Sequence, residues 1–247
     1  MRATFLALLL LLPCARAGHP ISLSDTSWPN ASTPSILPDG IWLRWRASDL
    51  SSSPVSSWSD EIQGWTWTQS SGANQPTWST NGVTFNGSSQ YFTSSNLIAQ
   101  TTLGAVSEGQ AWLIISKFST TTGTHVLLGD SSRCTGGFIF YAIDSDILYE
   151  ELGSGPSPVP TALFDFLTVP SATNSYRAYT NGVSAWTNAS GWNDGVSFNR
   201  IGSSGDGTLC QFHGDLQEII VWTNVIFTST QVSNIHHYAT NTYPITP

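Results

Sequence analysis

Carboxylates are grouped most densely in residues 144–151, which read Asp-Ser-Asp-Ile-Leu-Tyr-Glu-Glu. Hydrolysis of a glycosidic bond needs two carboxyl groups, one to attack the sugar or activate water and one to protonate the leaving oxygen. On one strand, Asp144, Asp146 and Glu150 would share a face, but Asp146 and Glu150 would lie ~13 Å apart at ~3.3 Å per residue. Because this distance exceeds both glycosidase geometries, solvent-facing carboxylates at a strand edge are the favoured interpretation.

Tryptophan is the second residue type that suggests chemistry, with eleven copies in the chain. Flat indole rings stack on the apolar faces of sugar rings, so this excess points to contact with glycans. Trp65 and Trp67 are two residues apart and would therefore share one face of a strand. With Trp78, Trp186 and Trp192 near predicted turns, they are the surface candidates, and the predicted ligand-binding residues are Trp65, Trp67, Trp78 and Trp192. Core packing is favoured for the others in apolar runs: Trp42, Trp58, Trp112 and Trp222.

Other catalytic and metal-binding patterns are weak or missing in the sequence. His236 and His237 are adjacent in a predicted helix, so they point in different directions, and no His or Cys lies three or four residues away. Surface imidazoles are therefore favoured over a metal site. The sequence contains neither a Gly-x-Ser-x-Gly nucleophile motif nor a phosphate-binding loop.

The composition indicates an extracellular chain of strands and turns. Lys plus Arg number eight and Asp plus Glu sixteen, which gives a formal net charge of -8. This charge argues against nucleic acid or an anionic membrane surface as partner, because both require basic patches. Abundant Ser, Thr, Asn, Gly and Trp suit strands and turns better than long helices.

The first residues predict secretion. Arg2 supplies a weak positive charge, residues 5–12 form an apolar stretch too short to span a bilayer, and residues 15–17 form an Ala-x-Ala cleavage site. A lipidated Cys14 is the alternative, but Pro13 stands where a lipoprotein signal needs a small residue. The expected location is therefore extracellular or at the cell surface, without a transmembrane segment.

The chain divides into three parts in this interpretation. Residues 1–17 are the predicted signal peptide, residues 18–40 a flexible segment rich in Ser, Pro, Thr and Asn, and residues 41–247 one folded domain. Cleavage leaves two cysteines, Cys134 and Cys210, which most economically form one disulfide in a secreted protein.

Three sequons could carry N-linked glycans if the source glycosylates its proteins. Asn30 lies in the flexible segment, whereas Asn86 and Asn188 lie at predicted turns where a glycan is tolerated. Since Ser and Asn are abundant, some of these matches are expected by chance.

Short apolar runs separated by turn dipeptides predict an all-β fold. Asn81-Gly82, Asn86-Gly87, Asn181-Gly182 and Asp194-Gly195 are typical of tight hairpins. Twelve strand-like runs and no β-α-β alternation predict an antiparallel β-sandwich or jelly roll. The runs are residues 41–46, 65–69, 83–85 with 91–92, 111–118, 125–128, 137–143, 147–152, 164–169, 175–179, 183–186, 196–201 and 216–222.

A short helix is predicted near the end of the chain. Thr228 and Gln231 form a capping box, in which each side chain bonds the other residue's backbone N–H. Val232, Ile235 and Ala239, with Tyr238 beside them, fall on one face at helical spacing, so this face is expected to close onto a core.

The order of Gly214-Asp215 turn, apolar strand, capped helix and final Tyr243 resembles the laminin G-like branch of the concanavalin A-like lectin/glucanase superfamily. Further motifs resemble the opening strands, the central hairpin and a late strand of those domains: residues 41–49, 55–60, 81–92, 176–183 and 199–202. The resemblance covers residues 41–243 and implies a concanavalin A-like jelly roll. These are scaffold motifs, so they indicate a fold more directly than an activity.

The resemblance also suggests calcium as a cofactor, because many such domains bind it at one rim through Asp and backbone oxygens. Aspartates lie in or near several predicted loops, but they form no contiguous ligand series and no metal ligand is assigned. They are Asp130, Asp144, Asp146, Asp206 and Asp215.

By resemblance, the leading hypothesis is non-catalytic recognition of a carbohydrate or glycoprotein by a secreted adhesion module. Trp65 and Trp67 are the first candidates for stacking on a sugar. Two alternatives remain: a glycan hydrolase or lyase whose carboxylates come from separate strands, and a structural coat or appendage subunit whose aromatic residues pack against neighbours.

Overall fold

The structure is a computed structural model of the 247-residue chain. It describes residues 37–99, 110–120, 124–129, 140–143, 146–149, 157–158, 162–172, 175–188, 197–205 and 210–245. These residues all belong to one compact unit, Ser35–Pro247.

Within the described residues the chain forms short strands and one α-helix, α1, over Ser229–Thr242. Most strands coincide with the apolar runs of the sequence, because β-branched and aromatic side chains fit a buried pleated surface. The strands are β1 Ile41–Arg46, β2 Ser57–Ser59, β3 Thr66–Thr68, β4 Thr77–Ser79, β5 Gly82–Asn86, β6 Phe92–Ala99, β7 Gln110–Phe118, β8 Thr124–Gly129, β9 Phe140–Ile143, β10 Asp146–Tyr149, β11 Ser157–Pro158, β12 Phe164–Ala172, β13 Ser175–Thr180, β14 Val183–Asn188, β15 Ser197–Ile201 and β16 His213–Thr223.

The strands form two antiparallel sheets. Sheet A has the order β14-β13-β12-β7-β16-β5-β4, and β1 also pairs with β16. Sheet B has the order β11-β10-β9-β8-β15-β6-β3-β2. At the centre of sheet A, β7 and β16 pair over a long stretch. Gly214 stands opposite Phe118 at one end of this pairing, and Thr223 stands opposite Gln110 at the other end. The fold is therefore an antiparallel β-sandwich with one C-terminal helix, as the sequence predicted.

The centre of sheet A is buried on both faces. In β7, Trp112 and Ile114 point into the core between the sheets, whereas Leu113 and Ile115 point to the opposite side. Strands that are covered on both faces have consecutive apolar residues, and residues 111–115 of β7 are all apolar. Aromatic residues dominate the intersheet core: Trp45, Trp58, Trp67, Phe85, Phe92, Trp112, Phe118 and Phe212.

Helix α1 covers the outer face of sheet A. Thr228 is its N-cap, and the capping box with Gln231 is present. The predicted apolar face is buried against sheet A and consists of Val232, Ile235, Tyr238 and Ala239. Trp222 lies in the same helix-side core, and its indole N–H donates to the Pro38 carbonyl at 3.1 Å.

The local strand predictions are confirmed only in part. Strands β4 and β11 were not predicted, because they have only three and two residues and no apolar run, whereas β2 lies within residues 55–60, which resemble an opening strand of the family. The predicted break between the strand-like runs 137–143 and 147–152 is confirmed: β9 ends at Ile143 and pairs with antiparallel β10, which begins at Asp146. Asp144 and Glu150 themselves lie outside the described residues.

Candidate functional site

Sheet B presents hydroxyl groups on its outer side. Strand β2 reads Ser-Trp-Ser and β3 reads Thr-Trp-Thr, and alternate side chains of a strand point to opposite faces. Trp58 and Trp67 stand opposite each other across the two strands, and both are buried in the intersheet core. In β6, buried Phe92 likewise places its neighbour on the outer side. We call this surface the hydroxyl face and define it by Ser57, Ser59, Thr66, Thr68 and Thr93.

The strand register brings these hydroxyls together. Ser57 stands opposite Thr68, and Thr68 stands opposite Thr93 on the next strand. The Ser59 and Thr66 hydroxyl oxygens lie 2.9 Å apart. The hydroxyls of Thr66, Thr68 and Thr93 donate to backbone carbonyls. Each hydroxyl oxygen also has acceptor lone pairs, so the hydroxyl face can accept hydrogen bonds from the hydroxyls of a bound sugar.

Trp67 is not a surface residue, and the prediction that it binds a ligand is wrong. Its relative exposure is 1%, and its ring packs against that of Trp45 in the intersheet core, with centroids 5.7 Å apart. The Thr-Trp-Thr pattern explains this position, because the side that faces water takes the threonines. The hydroxyl–Trp–hydroxyl pattern of β2 and β3 is the sequence signal that identifies both the buried indoles and the hydroxyl face. In β4 of sheet A the same pattern accompanies a partly buried Trp78.

Trp65 lies just before β3, and its ring packs on the same intersheet core as Trp67 but keeps part of its surface exposed. It ends the turn of residues 60–65, which crosses the edge strand β1: the Asp60 carboxylate accepts the backbone N–H of Arg44 at 2.6 Å. The same carboxylate accepts the N–H groups of Ile62 and Gln63, at 3.2 and 2.5 Å. Asp60 therefore fixes this turn, which ties sheet B to sheet A.

Trp42 and Trp65 form a partly buried pair at this edge, which we call the tryptophan rim. Their ring centroids lie 4.9 Å apart in an edge-to-face arrangement. Both rings pack on the intersheet core and keep part of their surface exposed. Charged residues flank the rim, since Arg46 pairs with Glu61 at 2.7 Å and with Asp49 at 3.3 Å.

The remaining tryptophan candidates are placed in different ways. Trp78 is partly buried against the core, and its indole N–H donates to the Ala47 carbonyl at 2.7 Å. Its ring is therefore anchored at one edge and partly accessible. Trp192 and the side chain of Trp186 lie outside the described residues. Core packing is confirmed for Trp58, Trp112 and Trp222, each of which is at most 1% exposed.

The carboxylate with the most unusual surroundings is Glu218, which is fully buried beneath helix α1. Arg44 donates to it at 2.7 Å, and the hydroxyls of Tyr238 and Tyr243 donate to it at 2.9 and 3.0 Å. Arg44 also donates to the Tyr238 hydroxyl at 2.5 Å. We call these four residues the buried acid cluster.

The charges and hydrogen bonds of the buried acid cluster indicate that it stabilises the fold. Burial, followed by the charge of Glu218, raises the pKa of both Tyr238 and Tyr243. Burial alone would lower the pKa of the Arg44 guanidinium, but Glu218 and Tyr238 outweigh it and raise that pKa. Because Glu218 has no exposed surface, a polymeric substrate cannot reach it, and the cluster instead joins β1, β16 and the end of α1.

A second buried carboxylate, Asp165 on β12, bonds the ring Nδ1 of His236 on helix α1. Burial raises the pKa of Asp165, although the hydrogen bond with His236 acts in the opposite direction. Among the described side chains, no Ser, Thr or Cys bonds the His236 ring, so the pair lacks a nucleophile. The prediction of a surface imidazole holds for exposed His237 and is wrong for half-buried His236, which docks the helix on β12.

Metal ligands are not grouped in the part of the chain that the structure describes, where no three His, Cys, Asp or Glu side chains come together. Asp215 accepts a hydrogen bond from the Thr84 hydroxyl at 2.6 Å across β5 and β16. Asp146 opens β10. Asp130, Asp144 and Asp206 lie outside the described residues, so calcium binding stays a prediction.

The described residues include only some members of the predicted disulfide and glycosylation sites. Cys210 is disulfide-bonded, and since its partner lies outside the described residues, the pairing with Cys134 stays a prediction. Asn86 is exposed at the end of β5, where its side-chain oxygen accepts the backbone N–H groups of Ser88 and Ser89 at 2.9 and 3.0 Å. Asn30 and the side chain of Asn188 lie outside the described residues.

The longest helix of the described residues, α1, has 14 residues, and no helix there is long and apolar enough to cross a membrane. The class of protein that the fold and surfaces define is thus a helix-backed, antiparallel β-sandwich with a polar outer sheet.

Solved structures share this fold. A Trypanosoma rangeli sialidase in complex with sialic acid is 14% identical with a TM-score of 0.59, over 85% of this chain and 35% of the sialidase chain. The chain therefore spans about a third of the sialidases it matches. Domain 4 of AbnA, a GH43 extracellular arabinanase from Geobacillus stearothermophilus, in complex with arabinotriose, is 13% identical with a TM-score of 0.51, over 80% of this chain and 100% of that domain. No family model and no curated protein matches.

Proposed function

We propose that this chain is a secreted, non-catalytic carbohydrate- or glycoprotein-recognition domain of the concanavalin A-like, laminin G-like type. The observation that carries the proposal is the likeness to an arabinanase domain in complex with arabinotriose, because that domain is matched over its whole length. A single sandwich domain of this kind can therefore hold an oligosaccharide without the rest of an enzyme. The motifs in residues 41–49 and 212–224 support the narrower family resemblance.

The described surfaces suit this role. The hydroxyl face offers hydrogen-bond acceptors in a fixed register, and the tryptophan rim offers partly exposed aromatic rings for stacking on sugar. The tryptophan rim lies at one end of β3, because Trp65 directly precedes Thr66, the first residue of that strand. We place the sugar-binding site on the outer side of β2, β3 and β6, with Trp65 at its end.

The test is a glycan array with the mature chain, residues 18–247, run with calcium and with a chelator. Thr68→Gln places a longer side chain in the middle of the hydroxyl face, so selective binding should weaken by at least about tenfold. Ser184→Gln is the matched control, because Ser184 is exposed on β14 of the other sheet and its replacement should leave binding unchanged. Loss of binding in chelator would add calcium to the proposal.

Trp65→Ala is the second variant, and its unfolding is measured in parallel because the ring packs partly on the core. Weaker binding without loss of fold would support the rim as part of the site. Equal binding by Thr68→Gln, Ser184→Gln and the unmodified chain would contradict the proposed location. The absence of glycan binding would contradict the proposed function. Release of reducing ends would favour a glycan hydrolase. Concentration-dependent assembly would favour a structural coat or appendage subunit.

A further inference from the structure

The hydroxyl face uses most of its donors inside the protein. The Thr68 hydroxyl donates to the Thr93 carbonyl at 3.4 Å, and the Thr93 hydroxyl donates to the Thr68 carbonyl at 3.2 Å. The Thr66 hydroxyl donates to the Gly64 carbonyl at 3.3 Å, and the Ser59 hydroxyl lies 2.9 Å from the Thr66 oxygen. Because a hydroxyl has one hydrogen, Ser59 is the donor in this last contact. The hydrogens of all four hydroxyls therefore already have acceptors.

The oxygens of these hydroxyls are accessible to a ligand. Ser57, Ser59 and Thr68 are exposed, and Thr66 and Thr93 are half-buried at the surface of sheet B. Each hydroxyl oxygen has two lone pairs, and the contacts above use at most one of them, so every oxygen keeps a lone pair for a ligand. Ser57 differs in that its hydroxyl bonds none of the described groups, so it can donate as well.

A ligand donor and a ligand acceptor meet different costs at this surface. A ligand hydroxyl that donates takes up a free lone pair and breaks no bond within the protein. A ligand oxygen that only accepts must draw the hydrogen of Thr66, Thr68 or Thr93 away from a backbone carbonyl, so one hydrogen bond merely replaces another. Carboxylate and sulfate oxygens only accept, and the formal net charge of -8 opposes the approach of an anion. The hydroxyl face therefore favours neutral ligands that are rich in donors.

We propose that the hydroxyl face selects neutral oligosaccharides with unsubstituted hydroxyl groups, and that these hydroxyls act as donors to the protein. This inference rests on the proposed glycan-binding function. Ser57, Thr68 and Thr93 stand in one row across β2, β3 and β6, and with neighbouring strands about 4.8 Å apart the row spans about 10 Å. The row is longer than one sugar ring, so it receives hydroxyls of at least two sugar residues. Methylated, acetylated, sulfated and acidic sugars lose donors or add negative charge, and they bind more weakly.

The test compares probes that differ in single hydroxyl groups. Arabinotriose, cellotriose and galactotriose are titrated into the mature chain by calorimetry, beside versions in which one hydroxyl is replaced by hydrogen or by fluorine. Fluorine accepts hydrogen bonds weakly and donates none. At each position that contacts the hydroxyl face, both replacements should therefore weaken binding by about threefold to tenfold, the range expected for one neutral hydrogen bond. The trisaccharide of galacturonic acid should bind more weakly than galactotriose.

Two variants at one position separate the oxygen from the rest of the side chain. Thr68→Val removes the acceptor oxygen and should weaken binding of the unmodified neutral probe by about threefold to tenfold. Thr68→Ser keeps the oxygen and should bind as the unmodified chain does. Thr77→Val is the matched control, because Thr77 is an exposed threonine on β4 of sheet A, and its replacement should leave binding unchanged.

The outcomes distinguish the inference from the function beneath it. Full binding of the fluorine-substituted probes, with weak binding of the hydrogen-substituted ones, would mean that the sugar hydroxyls act as acceptors and would overturn the inference. A preference for the galacturonic acid probe, or full binding by Thr68→Val, would also overturn it and leave the glycan-binding function standing. If neither these probes nor any glycan on the array binds, both the inference and the function it rests on are wrong.

Discussion

At the scale of single residues, Glu218 illustrates why a suggestive set of side chains is not always an active site. Its carboxylate has an arginine and two tyrosine hydroxyls within hydrogen-bonding distance, which resembles the equipment of a catalytic acid. Yet its exposure is zero, and all its partners lie on elements that must be held together. Because no substrate can reach the Glu218 carboxylate, the buried acid cluster stabilises the fold and is not an active site.

Glu218→Gln tests this assignment. The substitution leaves Arg44 buried without its counter-charge, and removal of one partner of a buried ion pair costs about 3–5 kcal/mol. We therefore expect the free energy of unfolding, measured by urea denaturation, to fall by this amount, while sugar binding by the remaining folded protein is unchanged. Asp49→Asn is the control, because the exposed Arg46–Asp49 pair should contribute at most about 1 kcal/mol. Similar losses in both variants would contradict the assignment.

At the scale of elements, the sequence predicts best where local chemistry alone decides the structure. Three predictions of this kind agree with the structure: the helix start at Thr228, the hairpin at Asn181-Gly182 and the bounds of β1. They agree because caps, tight turns and apolar runs are local signals. Gly182 has φ of +72°, and a Cβ there would lie 2.5 Å from the His236 ring, a constraint that only the folded chain reveals.

Non-local contacts account for the errors. Trp67 looks like a surface residue if Trp65 and Trp67 are considered alone, but sheet pairing with Trp58 puts its side of β3 inside. Strands β2 and β4 have three residues each, and their pairing partners rather than their own composition define them.

Thr228→Ala tests the helix cap. The Thr228 hydroxyl accepts the Gln231 N–H at 3.3 Å, and loss of such a cap costs roughly 1 kcal/mol. We expect thermal unfolding to shift down accordingly, with glycan binding unchanged because the cap lies on the opposite side of sheet A from sheet B. Thr240→Ala is the control, since its hydroxyl only bonds carbonyls inside the helix. A larger loss in the control than in Thr228→Ala would contradict the role of the cap.

At the scale of the whole molecule, the intersheet core and the helix-side core lie on opposite faces of sheet A. Neighbouring residues of β7 point into different cores, so a change in the helix-side core is transmitted through a single layer of backbone to the intersheet core. Packed interiors have low compressibility and transmit strain. The helix and both sheets should therefore unfold together, with the disulfide of Cys210 kept intact.

Ile235→Ala tests this coupling. Ile235 is fully buried in the helix-side core, and truncation of a buried isoleucine costs about 2–5 kcal/mol. We expect one transition at lower denaturant, seen alike by far-ultraviolet circular dichroism and by tryptophan fluorescence, because most buried indoles lie in the intersheet core, away from the mutation. Leu128→Ala, fully buried in the intersheet core, is the matched variant and should give the same single transition. If Ile235→Ala instead lost helical signal before the fluorescence changed, helix α1 would be a separate unit that the sandwich does not need.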